Sequence, residues 1–156
     1  MTVSVKLEGF SELEKELERL TKAAGKGVLR RSLKKAAQPM ADLMQGMAPR
    51  GESAEDKLAE SIAVSTKLSK RQATQHRRMF RNDKASVEMF VGPGPDPAAW
   101  NQEFGNVNHG AQPFVRPAWD QDKDAMLDRL GKDLWSELEK SIKRAERKAA
   151  RQAAKG

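Results

Sequence analysis

Apolar residues recur along this chain at two spacings, and each change of spacing marks a new element. Val3, Val5 and Leu7 alternate with polar residues, the period of a short half-buried strand that Gly9 ends. Ser11 with Glu14 has the form of a capping box, and Leu13, Leu17, Leu20 and Ala24 follow at helical spacing until "AAGKG" closes the helix. A second helix is predicted from Leu29, Leu33, Ala36, Met40, Leu43 and Met47. Pro39 falls inside it and cannot donate to the Lys35 carbonyl, yet the apolar phase survives, so a kink is expected rather than two helices. "APRGES" stops the run.

Alternation returns at Ile62, Val64 and Leu68 and again at Val87, Met89 and Val91, which predicts two further strands paired as a hairpin. The segment between them, Lys67 to Lys84, is too long for a tight turn and reads as a basic connection. "GPGPDP" forms a stiff extended loop, with a short helical turn over Ala98 to Phe104. From Pro117, suited to a first helical turn, a last helix carries the stripe Trp119, Leu127, Leu130, Leu134, Leu138 and Ile142. Asp120, Asp122 and Asp124 crowd the positive end of its dipole.

This order gives an α+β fold: a small antiparallel sheet packed by two N-terminal helices and a long C-terminal helix. Residues 1–142 are expected to form one domain and 143–156 a basic tail, disordered or frayed helical, since its stripe holds no apolar residue beyond alanine. Charge sharpens that division. Of the net charge of +7, Lys140 to Gly156 supplies six units through seven basic residues and one acid, so the basic balance describes an appendage more than a body. No run approaches the roughly 18 apolar residues of a spanning helix, and no membrane partner is expected. The start, "MTVSVKLEGF", lacks the pattern of a signal peptide, which makes the cytoplasm the expected site of synthesis.

Catalytic chemistry is not foreshadowed. The absence of cysteine removes disulfides and thiolate metal sites, and His76 and His109 belong to no spaced ligand set. His109 in "NVNHG" reads as a turn residue. "GPGPDP" is no phosphate loop, because its prolines carry no N–H and no Gly-Lys-Ser/Thr follows. Carboxylate pairs such as Glu12 with Glu16 and Asp120 with Asp124 sit on amphipathic helices and read as solvent-facing. Neither enzyme activity nor a cofactor is expected.

One loop is unlike the rest. "EFGNVNHGAQPFVRPAW", Glu103 to Trp119, concentrates three aromatics, two prolines and an arginine before a helix, which suits a lock with Phe114 and Trp119 buried and Arg116 anchoring the approach. The stretch resembles the hallmark of the tail-component, or tail-completion and head–tail joining, family of long-tailed bacteriophages. The matching residues are Glu103, Phe104 and Gly105, then Gln112, Pro113, Phe114, Val115, Arg116, Pro117 and Ala118. Weaker likeness extends over "VKLEGFSELEKELERL", "MAPRGES" and "VEMFVGPGP", while Asn106 stands where threonine is common. The resemblance implies a virion structural protein at the head-proximal tail end or neck, made in the host cytoplasm. It further implies a ring around the DNA conduit, with the isolated protein allowed to be monomeric, and tail terminator, tail tube and head-connector proteins as partners.

Two surfaces then carry alternative readings. Glu103, Phe104, Gly105, Phe114, Arg116, Pro117 and Trp119 form the loop lock, which is either intramolecular packing or in part a subunit contact. Lys70, Arg71, Arg77, Arg78 and Arg81, with no acid between Glu60 and Asp83, are either a solvated loop or a nonspecific contact with phage DNA. Arg144, Arg147 and Lys148 of the tail pose the same choice. A basic nucleic-acid-binding module, acting through the 67–84 connection and the tail, is therefore the alternative to a tail role.

Overall fold

The computed structural model describes residues 22–50, 55–82 and 87–156, together with positions 11, 15 and 18. The expected strand at Val3 to Leu7, the Ser11–Glu14 capping box and the stripe Leu13, Leu17 and Leu20 fall on or depend on residues outside that set. The described elements are α1 (Lys22–Met47), α2 (Glu55–Ser61), β1 (Ala63–Ser65), α3 (Lys70–Met79), β2 (Phe90–Gly92), α4 (Pro97–Phe104) and α5 (Val115–Ala153). The two strands pair antiparallel with Val64 opposite Val91. The architecture is α+β, mostly helical, with a two-stranded sheet and a long C-terminal helix.

Helices α1 and α5 make the framework, running antiparallel. Arg31 meets Glu137, Lys35 meets Asp133 and the Ala36 carbonyl meets Arg129, so rising numbers on one helix meet falling numbers on the other. The buried row of α1 is Val28, Ser32, Ala36, Met40, Met44, with Ala48 just beyond its end. On α5, the inward row steps through Ala118, Asp122, Met126, Leu130, Leu134, Leu138 and Ile142. Both rows rise by fours, the ridges through which helices interdigitate. Small side chains, Ser32, Ala36, Ala37, Ala41 and Ala118, let the backbones approach. The larger Leu29, Leu33 and Leu43, expected to lead the apolar stripe, lie at its half-buried margins, and Met47 is exposed.

Two apolar clusters divide this interface. The larger gathers Met40, Ala41, Met44 and Ala48 with Leu58, Ala59 and Ile62, Ala99 from α4, and Phe114 and Ala118. Val64 and Val91 pack against it from the sheet. The smaller holds Val28, Leu134 and Leu138, flanked by Leu29, Leu130 and Ile142.

Three expectations are corrected. "AAGKG" does not close a helix, because Gly25 and Gly27 lie within α1; the partner helix supplies packing that outweighs glycine's cost of roughly 1 kcal/mol. The 67–84 connection is not a loop, since α3 occupies it. Ser69 caps α3, its Oγ accepting from the Gln72 N–H while the Gln72 side chain accepts from the Ser69 N–H. Finally, α5 begins at Val115, two residues before Pro117, and no acid occupies its first turn. The helix continues to Ala153, with the side chains of residues 143–153 exposed.

Pro39 lies inside a continuous α1, as the unbroken apolar phase implied. A proline removes one ladder bond and crowds the carbonyl four residues back. Beside that weak point, Arg129 donates through Nη2 (2.9 Å) and Nε (3.3 Å) to the Ala36 carbonyl. Its Nη2 and Nη1 also bond Asp122 at 2.6 and 3.0 Å. Asp122 is therefore buried and paired with Arg129. The Asp122 hydrogen bond raises the Arg129 pKa further, against the opposing pull of burial.

Candidate functional site

The loop between α4 and α5 is built on one carboxylate. Glu103, in the last turn of α4, is buried. Its Oε2 accepts from the Phe114 and Val115 N–H groups at 2.8 and 2.9 Å, and its Oε1 from the Arg116 N–H at 3.0 Å. Those are the orphan donors that every helix start must satisfy, and the next position, Pro117, has none. Phe114, the N-cap residue, offers no side-chain cap, so a different helix supplies it. Negative charge at this positive dipole end adds to the effect.

Arg116 completes the clamp, its Nε donating to Glu103 Oε1 and its Nη2 to the Glu103 carbonyl, each at 2.8 Å. Burial alone would push the Glu103 carboxyl up. The Val115 N–H, the Arg116 side chain and the N–H groups of Phe114 and Arg116 outweigh it, leaving the pKa below the ordinary carboxylate value. Phe114, fully buried, inserts beneath the clamp into the larger core cluster.

Gly105 turns the chain out of α4 with φ 75° and ψ 174°, a region essentially reserved for glycine. A Cβ there would stand 2.8 Å from the Ala111 backbone nitrogen. Asn106 closes the following turn: its side-chain oxygen accepts from the Asn108 and His109 N–H groups, and its own N–H bonds the His109 carbonyl at 3.0 Å. His109 is a turn residue, as expected. Gln112 N–H then ties the chain back to the Gln102 carbonyl at 2.7 Å.

Outside the clamp lies an apolar surface. Trp100 and Phe104, one turn apart on α4, pack at a tilt of 41° with ring centroids 4.4 Å apart, and the Arg116 guanidinium sits 4.5 Å over the Phe104 ring. Trp100 is 68% exposed, and Val107 stands fully in solvent at the loop tip. Trp119 was expected to be buried and is instead 47% exposed. Because α5 starts at Val115, Ala118 takes the inward position and Trp119, about 100° round the helix, faces away. Leu130 does pack, at the edge of the smaller cluster. Sequence reasoning passed over Trp100, although its spacing of four from Phe104 in "AAWNQEF" was a usable signal.

The candidate DNA-facing residues separate into two places. Lys70, Arg71, Arg77 and Arg78 are exposed on α3 and Arg81 in the turn after it, while Arg144, Arg147 and Lys148 are exposed on distal α5. At 100° per residue, Lys70, Arg71, Thr74, Arg77 and Arg78 fall within an arc of about 120° on one face of α3. The other side docks on the sheet through His76, whose ring meets Phe90 edge-on at 5.2 Å and whose Nε2 lies 3.4 Å from Glu88. Among the described residues, no group of three or more histidines or carboxylates is placed to hold a metal, and no helix is long and apolar enough to cross a membrane.

A family model described as "Bacteriophage HK97-gp10, putative tail-component" matches residues 11–105. Neither a curated protein nor a solved structure matches the chain. The Gln112–Ala118 motif is separated from the matched region by six residues and is clamped to it by Glu103. With a match over more than half its length, the chain belongs to the HK97-gp10-like family of putative bacteriophage tail components.

Proposed function

We propose that this protein is a structural subunit of the virion, occupying the head-proximal end of the tail or the neck and supporting the joining of tail to head. Copies associate around a symmetry axis as a ring enclosing the DNA conduit, an arrangement that needs a heterologous contact whose rotation closes. Tail terminator, tail tube and head-connector proteins are the neighbours this position implies. The observation that carries the reading is the exposed row Trp100, Phe104 and Arg116, fixed by a buried clamp. Aromatic and arginine anchors held rigidly concentrate binding energy at protein interfaces.

Of the loop residues, Phe114 and Glu103 do internal work, whereas Phe104, Arg116 and Trp119, with Trp100 on α4, are available to a partner. The mechanism is geometric, with no chemical turnover: the subunit closes an end and offers a surface to the connector. Deleting the gene and imaging the products tests it. Full heads beside unjoined tails are expected, and normal joined particles would refute the assignment.

A second reading, a basic nucleic-acid-binding module acting through residues 67–84 and the distal α5, draws support from the one-sided cationic face of α3. Steep salt-dependent DNA binding by a stable monomer that never enters particles would favour it.

A further inference from the structure

A groove of about 320 Å³ lies between α1 and the outgoing end of the two-stranded ladder, lined by Arg30, Arg31, Lys34, Val64, Ser65, Thr66 and Met89. Three of the seven are cations, two carry hydroxyls and none is acidic. Arg31 is committed to Glu137 at 3.2 Å, but Arg30 and Lys34 have no ion-pair partner among the described residues. Ser65 Oγ accepts from the Lys67 N–H at 3.0 Å, which leaves its own proton free to donate. Cations with hydroxyl donors in one concave surface form a site for a phosphate group.

The surroundings narrow the class of ligand. No aromatic ring lines the groove, so there is no platform on which an unpaired base or a free nucleotide could stack. The groove also does not stand alone. Thr66 lies in its wall, Ser69 caps α3 a few residues later, and Met89 in the same wall precedes Phe90, against which α3 docks. The helix that carries Lys70, Arg71, Arg77 and Arg78 thus begins four residues beyond the groove wall at Thr66. A repeating polyanion can use both surfaces, whereas a single small anion uses one.

We propose that this groove binds backbone phosphates of double-stranded DNA, with Arg30 and Lys34 as the cations and Ser65 and Thr66 as neutral donors. The contact reads no bases, because phosphate contacts carry no direct sequence information. The site is separate from the aromatic surface and does not depend on the protein's position in a particle.

The test uses the full chain and a fluorescent mixed-sequence duplex, titrated over a salt series. Each neutralised phosphate contributes about 0.9 to the log–log salt slope, so Arg30→Ser with Lys34→Ser should flatten it by about 1.8. Circular dichroism reports whether that variant keeps its helices. In the wild-type chain, acetylation of Lys34 should slow when duplex is present, a readout that needs no variant. Single-stranded oligonucleotide and polyglutamate serve as competitors and should displace duplex poorly. An unchanged slope together with undiminished Lys34 acetylation would overturn the site. Polyglutamate competing as well as DNA would overturn the ligand class, assigning the groove to an acidic protein segment.

Discussion

The two ends of the α1–α5 pair are held by different physics. At one end, ten buried apolar residues, a buried carboxylate with four donors and a glycine in a restricted conformation leave little freedom. At the other, three buried residues and two solvent-facing ion pairs, Arg31–Glu137 and Lys35–Asp133, hold the helices together, after which α5 runs on exposed. Exposed pairs contribute about 0–1 kcal/mol each, while a buried charge left unpaired costs several. The firm end is also where aromatic side chains face outward. Rigid support beneath an exposed apolar row is what an assembly contact requires, since ordering a flexible loop would subtract from binding.

That contrast can be broken most severely at the clamp. Glu103→Ala leaves three buried or part-buried N–H groups and the Arg116 Nε without their acceptor, and a loss of about 3–5 kcal/mol is expected in denaturant unfolding. The same carboxylate sets a pH dependence. Its pKa is lowered on folding, so its contribution is present above the unfolded carboxylate pKa and is lost as pH falls through the folded value. Stability of the wild type should therefore decline in the acid range more steeply than that of Glu103→Gln. Equal acid sensitivity would show that the charge is not what holds the helix start.

Arg129→Ala should cost slightly less, about 3 kcal/mol, by leaving Asp122 buried without its cation and Ala36 without its outside donor. A double change with Asp122→Ala should recover part of that loss, separating the stranded carboxylate from the carbonyl beside Pro39. Gly105→Ala comes next, at about 2 kcal/mol, because a side chain there is strained by φ and meets the Ala111 backbone. Smallest of all, Arg31→Ala with Lys35→Ala should change stability by less than about 1 kcal/mol and mostly at low salt. A larger effect would mean that the weak end is firmer than its contacts imply.

Much of the frame was legible in the chain, and the failures share a physical origin. Alternation found the Val64 and Val91 strands, and proline with aromatic spacing singled out the Glu103–Trp119 loop. What pattern could not supply was the exact phase of a helix whose contact line includes small and polar residues. Ala36 and Met40 of the apolar stripe do lie in the seam of α1, but Ser32 joins them there while Leu29 and Leu33 fall to its half-buried margins. Likewise, Trp119 promised a core residue by its size, but the start of α5 is set by Glu103 reaching across from α4, a long-range bond that places Ala118 inward. The helix in the basic connection was encoded more openly: Ser69 with Gln72 is a capping box, hidden in a segment whose charge suggested solvent. Asp122 and Arg129, seven apart on one helix, gave no sign that they would pair in the interface and reach the Ala36 carbonyl of another helix.

The proposed assembly role needs a stable scaffold displaying an aromatic row, and Trp100→Ala combined with Trp119→Ala tests it most directly. Both side chains are exposed, so unfolding free energy should fall by no more than about 1–2 kcal/mol. Complementation of a gene deletion with this variant should nonetheless yield unjoined heads and tails. Full restoration of joined particles by the folded variant would contradict the claim that this surface makes the contact.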